Sequence, residues 1–355
     1  MNASHATKFR HVENTRLAPA SRVLTHLPVS IPSASSERPA LAATSAHLTF
    51  VQESEVYRDA AAVVRALKTR RVTTDVAFSR YREDLLLSAG NVVATVKLWR
   101  ATYSRRGVLR LYDVHASTMS LERAVGKGAS LTSADWTWDG RAVIAATNDP
   151  AVRMVDTREH PTSTVEVPKA HSGTRPVSVL WCGRTQHFVT CGSDTLMQDR
   201  ELKLWDPRRM DKCLHRERVD AGGSGQLFPL YDPYMDLLFA LGKRSCSARM
   251  LEVDVTRVPY VHALNCRTSR DSTLAALAAT LLSKSVCDTN VCEAARVLNL
   301  STSKTSGGVT CIVISYRVPR YEATYTFQSD LYPDTLSKEA AIKSEAWIRG
   351  QNTDP

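Results

Sequence analysis

The residues of this chain that could do chemistry are an imidazole, a hydroxyl and a carboxylate: His171, Thr190 and Asp194, with Trp205 following. A hydroxyl, His and Asp in register are the parts of a nucleophilic triad. Such a triad needs a sharply turned nucleophile, and the nearest segment, Gly222-Gly223-Ser224-Gly225-Gln226, misses the Gly-x-Ser-x-Gly elbow at its last position. The same four residues could instead form a buried hydrogen-bond relay, in which each polar group spares the next an orphan cost of about 1–3 kcal/mol. Cys287 and Cys292 lie five apart with no second Cys or His pair at metal-finger spacing, so they read as ordinary thiols and no metal site is expected. Gly242-Lys243-Arg244-Ser245 lacks the upstream glycine and the adjacent Ser or Thr of a phosphate loop, so no nucleotide cofactor is expected. No catalytic constellation emerges, and the expectation is a protein that binds rather than an enzyme.

The elements that would hold these residues are repeats. Alternating segments end in an aromatic or an acid at Val96-Lys97-Leu98-Trp99, Leu109-Arg110-Leu111-Tyr112-Asp113, Val152-Arg153-Met154-Val155-Asp156, Leu202-Lys203-Leu204-Trp205-Asp206 and Ala248-Arg249-Met250-Leu251-Glu252-Val253. The steps from Asp113 to Asp156, Asp206 and Glu252 are 43, 50 and 46 residues. That period fits a propeller blade of about 40–45 residues lengthened by loops. Within one period, strands are predicted at 177–181, 188–191 and 201–205, and in the preceding one at 131–136, 142–145 and 152–155, with Asp139-Gly140 and Asn148-Asp149-Pro150 as turns. In blades of this kind His171, Thr190, Asp194 and Trp205 become the structural relay. The tryptophans Trp99, Trp136, Trp138, Trp181 and Trp205 are expected in the core. Two stretches break the pattern: 28–45, rich in Ser, Pro and Ala, reads as a surface loop, and the Ala/Leu-rich part of 272–300 reads as helix-permissive, packed beneath the propeller.

Charge narrows the partners. The net charge is +10, and 65–110 alone holds eleven Arg or Lys against three acids. Such a field draws anionic surfaces, but aromatic residues are not interleaved with the cations as a nucleic-acid stacking surface requires, so no nucleic-acid ligand is expected. Eight sparse cysteines, a polar N-terminus and no run of about 18 apolar residues point to a reducing compartment and no membrane span.

Past Pro168 the sequence resembles the coronin family, collinearly, through Lys169-Ala170-His171-Ser172-Gly173-Thr174-Arg175-Pro176, 202–207, Leu227-Phe228-Pro229-Leu230-Tyr231-Asp232-Pro233, Pro259-Tyr260-Val261-His262, Cys292-Glu293-Ala294-Ala295-Arg296 and Val318-Pro319-Arg320. The most specific segment is Phe327-Gln328-Ser329-Asp330-Leu331-Tyr332-Pro333-Asp334-Thr335, followed by Glu345-Ala346-Trp347. Nearer the start, Lys8-Phe9-Arg10-His11-Val12 and Leu85-Leu86-Leu87-Ser88-Ala89-Gly90 are similar to it. The resemblance implies an all-β WD-repeat β-propeller, seven-bladed in the family, whose N-terminal strand completes the last blade. It implies F-actin as principal ligand, an actin-related branching complex as a further partner, and a place in the cytoplasm on the actin cytoskeleton.

Between Val12 and Val63 there is room for only part of what the family places there, so the expectation is six or seven blades, incomplete by as much as one. The organisation expected is 1–62 as a divergent strand and partial blade, 63–320 as propeller, and 321–355 as a C-terminal extension packed on it. Actin-binding candidates are Lys8, Arg10, Arg22, Arg70 and Arg71, with Arg105 and Arg106 as an added patch; Pro19 stands where the family carries an arginine implicated in actin contact. The sequence ends before the family's coiled coil, so a monomer is expected. The alternative expectation is a WD-repeat scaffold that has lost actin binding.

Overall fold

The computed structural model describes eight strands between residues 12 and 124, as backbone, and then 131–334 apart from short breaks at 157–163, 196–198, 221–224, 243–247, 265, 269–273, 283, 285–286, 304–308, 319 and 321–326. Three four-stranded antiparallel sheets form the best-defined part. The first runs Leu131–Trp136, Ala142–Thr147, Val152–Asp156, Thr164–Val167; the second Ser178–Trp181, Phe188–Ser193, Arg200–Trp205, His215–Asp220; the third Leu227–Asp232, Leu237–Gly242, Ala248–Val253, Val261–Leu264. Each repeat thus carries the three expected strands plus an outer fourth one, which in the second blade is the polar segment His215-Arg216-Glu217-Arg218-Val219-Asp220. A fourth strand with one solvent face needs no continuous apolar run, which is why it escapes a search for hydrophobic alternation.

The sheets stack through both faces. In the second blade Val189, Cys191, Leu202 and Leu204 pack toward the third blade against Leu238 and Leu251, whereas Trp181, Phe188 and Trp205 pack toward the first against Ile144 and Val152. Strand alternation therefore sends apolar residues to both sides, as a blade between two neighbours requires. Four described tryptophans, Trp136, Trp138, Trp181 and Trp205, are buried; Trp99 lies outside the described residues.

Among the described residues the inner strands lie side by side in a ring. The order is Pro39–Thr44, Thr73–Phe78, Leu131–Trp136, Ser178–Trp181, Leu227–Asp232, Leu274–Leu281 and back to Pro39–Thr44. The hairpins Thr73–Phe78/Leu86–Gly90 and Val108–Asp113/Thr118–Ala124 share one place in it, so the described strands fill six places. In the closing sheet Val12–Arg16 pairs antiparallel with Val309–Arg317 and parallel with Cys266–Thr268, so the first and last described strands of the ring are hydrogen-bonded in one sheet. The inner strands remain short sheet edges, each set beside its neighbours in the ring.

Two expectations are corrected. The Ala/Leu-rich stretch within 272–300 is not helical: Leu274–Leu281 is the inner strand of the closing sheet and Glu293–Ser303 the next one. Pairing with Glu293–Ser303 outweighs the helix propensity of Ala and Leu, which is worth only tenths of a kcal/mol per residue. The stretch 28–45 is not loop throughout, because Pro39–Thr44 pairs with His47–Gln52; its Pro sits at the first strand position, where the missing N–H is tolerated.

Side chains lace adjacent inner strands where backbone pairing cannot. Thr132 Oγ1 donates to Val177 O (2.6 Å), Val179 N–H donates to Ser133 Oγ (3.1 Å), and Asp135 accepts from Trp181 N–H (2.8 Å) and Trp136 N–H (2.9 Å). Ser178 Oγ in turn donates to Leu227 O (2.5 Å). Replacing Asp135 by Ala orphans a buried amide and is expected to cost about 1–3 kcal/mol. A urea midpoint equal to wild type would show that the seam does not depend on it.

Candidate functional site

The second blade brings three of the four expected relay residues into contact. His171 lies on the sheet over Gly192: a Cβ on that glycine would come within 2.4 Å of the imidazole, so only Gly leaves room for the ring. His171 Nε2 meets Thr190 Oγ1 at 2.8 Å, and Trp205 Nε1 meets the same oxygen at 2.9 Å. On the other side His171 Nδ1 meets Glu201 Oε1 at 2.8 Å. One proton arrangement satisfies every group: Nδ1–H donates to Glu201, the Thr190 hydroxyl donates to Nε2, and Trp205 Nε1–H donates to the hydroxyl oxygen. All four side chains are buried.

Asp194 is not the carboxylate on Nδ1; Glu201 occupies that place because the register sets it directly across from Gly192, beneath the ring. Asp194 stands one link further out. It accepts from Ser172 Oγ (3.3 Å) and from Arg216, whose guanidinium also binds Glu201. Lys203 adds a second cation 3.2 Å from Glu201 and donates to Ala170 O at 2.8 Å. The signal was in the strand: Glu201, Lys203 and Trp205 alternate onto one face, and Leu202 and Leu204 onto the other.

Electrostatics follow from these contacts. Burial disfavours the imidazolium and outweighs the Glu201 bond, so the His171 pKa is lowered and the ring is neutral. Burial alone would raise the Glu201 pKa, but the bond from His171 and the Lys203 charge overcome it and hold the carboxyl at about 2, against an ordinary 4.5. A neutral imidazole with both nitrogens engaged and a hydroxyl that already donates and accepts is a locked network. Its chemistry is to fix the loop 170–173 on the sheet. Burial pushes the Cys191 and Cys287 thiols up to about 12, so both stay protonated at neutral pH. Thr190→Val keeps the volume but leaves Trp205 Nε1–H and His171 Nε2 without the hydroxyl. We expect a loss of about 2 kcal/mol in urea denaturation followed by tryptophan fluorescence; an unchanged midpoint would remove the relay from the stability of the blade.

The tail segment is built into the last seam. Leu331 is fully buried with Met235, Leu237, Phe239, Tyr316 and Val318 of the third blade and the closing sheet. Arg320 binds the Asp330 carboxylate through both terminal nitrogens (2.7 and 2.6 Å) and Gln328 at 2.6 Å, and Tyr332 Oη donates to Glu293 O at 3.1 Å. The expected actin contacts Lys8, Arg10, Arg22, Arg70, Arg71, Arg105 and Arg106 all lie outside the described residues.

Comparison with known proteins agrees with this architecture. Residues 311–355 match a family model described as a type of WD40 repeat. The chain is similar to the crystal structure of the WD40 domain from Toxoplasma gondii coronin, with a TM-score of 0.70 and 20% identity over 98% of this chain and 96% of that one. A chain of the crystal structure of the Mitotic Checkpoint Complex aligns at a TM-score of 0.45 and 14% identity, over 75% of this chain and 68% of that one. Sheet order, ring, the WD40 family model and the likeness to the coronin WD40 domain agree: the fold is an all-β WD40 propeller.

Proposed function

We propose that this propeller is a coronin-like, non-catalytic protein that binds actin filaments and organises the actin cytoskeleton. The observation that carries the reading is the tail Phe327-Gln328-Ser329-Asp330-Leu331-Tyr332-Pro333-Asp334: the segment most specific to the family resemblance is the one that Leu331, Arg320 and Tyr332 fasten to the ring. A propeller needs no such strap to close, so its presence favours one lineage among propellers. The division into 1–62, 63–320 and 321–355 is part of this reading, as are a cytoplasmic location and an actin-related branching complex as second partner. Filament binding draws on the charge: a chain of net +10 meets an acidic polymer, and arginines supply bidentate contacts to its carboxylates.

Cosedimentation with F-actin at moderate salt tests the reading. The expected result is saturable pelleting at micromolar protein that weakens as salt rises. No pelleting above the actin-free control would reject it. Recovery from a pull-down of a defined complex without actin would favour a WD-repeat interaction scaffold in its place.

A further inference from the structure

Two turns leave the second blade at the same end. The register pairs Trp181 with Phe188 and Phe188 with Trp205, so 182–187 and 206–214 emerge side by side. Both are braced from beneath. Trp181 Nε1 donates to Gly183 O (3.0 Å) and Thr185 Oγ1 to Cys182 O (2.6 Å); Arg208 and Arg209 N–H both donate to Asp206 at 2.9 Å. Gly183 holds a φ of +52°, and a Cβ there would lie 2.8 Å from Pro233 of the third blade. Met210 is buried with Trp205, Phe188 and Trp181, whose rings stack at 6.2 and 6.4 Å.

What these fixed turns present to solvent is mostly basic: Arg184, Arg208, Arg209 and Lys212 are exposed, with Asp211 as the exposed acid among them. Asp206 engages Arg208 at 2.8 Å. Among the described residues no carboxylate forms an ion pair with Arg184, Arg209 or Lys212. The Arg184 guanidinium lies over the Trp138 ring of the first blade, 5.5 Å from its centroid. A guanidinium held over a ring keeps N–H donors for a carboxylate. A pre-placed arginine loses less freedom on binding than a free one.

We propose that this rim, with the cations Arg184, Arg209 and Lys212 of the two turns, is a docking surface for a carboxylate-rich protein segment. Asp206 and Asp211 alternate with Arg208, Arg209 and Lys212. Asp206 is buried and bound to Arg208, which leaves a cluster of cations shorter than the track a phosphate chain follows, with guanidiniums that suit the carboxylates of a protein segment. Assigning the segment to the actin filament rests on the reading above; the rim as an acceptor of acidic protein does not.

The test compares Arg184→Glu/Arg209→Glu with Lys169→Glu/Arg257→Glu, a pair of exposed cations elsewhere that gives the same change in net charge. Each is measured against a poly-glutamate peptide and against F-actin, with thermal melts matched to wild type. The rim pair is expected to lose about tenfold in affinity for both probes and the control pair to stay near wild type. Equal losses of poly-glutamate affinity in the two pairs would overturn the rim. Wild-type protein that binds poly-glutamate through the rim yet fails to pellet with F-actin supports the rim and overturns the filament reading alone. Wild-type pelleting by the rim pair, beside its loss of poly-glutamate affinity, supports the rim and removes its assignment to actin.

Discussion

Replacing Arg296 by Ala should lower the stability of this propeller by about 3–5 kcal/mol, because it strands a charge in a place water does not reach. Glu293 is fully buried at the start of its strand, and Arg296 is its partner: Nε donates to Oε1 at 2.7 Å and the guanidinium also reaches Oε2. The Asp288 N–H, 2.7 Å from Oε2, is a single neutral donor and does not replace a cation. The pair also sits where the chain is under geometric demand. Cys292 has φ +49°, the pairing with Val309–Arg317 shifts between Glu293 and Ala295, and Tyr332 binds the Glu293 carbonyl. Loss of the cation therefore threatens the strand start and the tail strapped over it together. The measurement is urea denaturation of Arg296→Ala beside Glu293→Gln/Arg296→Met, which removes both charges. The single variant should fall by the full amount, and the double should recover most of it, since a buried pair exchanged for neutral groups costs little. A single variant within about 1 kcal/mol of wild type would mean that the Glu293 charge is compensated by other groups.

The repeat and its period are plain in the sequence because three strands per blade carry alternating apolar residues and the third closes on an acid, as at Asp156, Asp206 and Glu252. The outer strand His215–Asp220 was hidden because one of its faces is wet, and Leu274–Leu281 misled because Ala and Leu suit a helix as well as a buried strand. The relay was legible up to its carboxylate. Spacing proposes an acid in the turn, but only the register places Glu201 opposite Gly192, and only the missing Cβ of Gly192 shows where the imidazole lies. The seam bonds of Ser133 and Asp135 had no signal, since they join positions 46 residues apart whose adjacency is a property of the ring. Glu293 and Arg296 stand in the sequence as part of the motif Cys292-Glu293-Ala294-Ala295-Arg296. Their reason, a salt bridge folded into a strand start, is a matter of burial that no spacing reports.

Acid should unfold the second blade in two stages, and Glu201→Gln should erase the second. The His171 pKa is lowered by burial, so the unfolded chain takes up a proton near the ordinary 6.5 while the folded one resists. That contribution is complete above 6.5 and declines as the pH falls below it, by up to about 1.4 kcal/mol per unit. Glu201 is held at about 2 against 4.5, so its contribution is complete above 4.5 and declines toward pH 2. It is worth on the order of 3 kcal/mol at neutral pH for a side chain this buried. Glu201→Gln preserves an acceptor for His171 Nδ1–H but removes the charge that Lys203 and Arg216 surround. The gap in stability between wild type and variant should therefore be flat from pH 8 to about 5 and close as the pH drops through 4.5. Both proteins should share the earlier decline below 6.5, because the histidine is buried in each. Subtracting the two urea-midpoint profiles cancels the titrating groups that do not touch Glu201. A difference that stays constant down to pH 3 would show that Glu201 holds its place by hydrogen bonds alone, and that its charge contributes nothing to the blade.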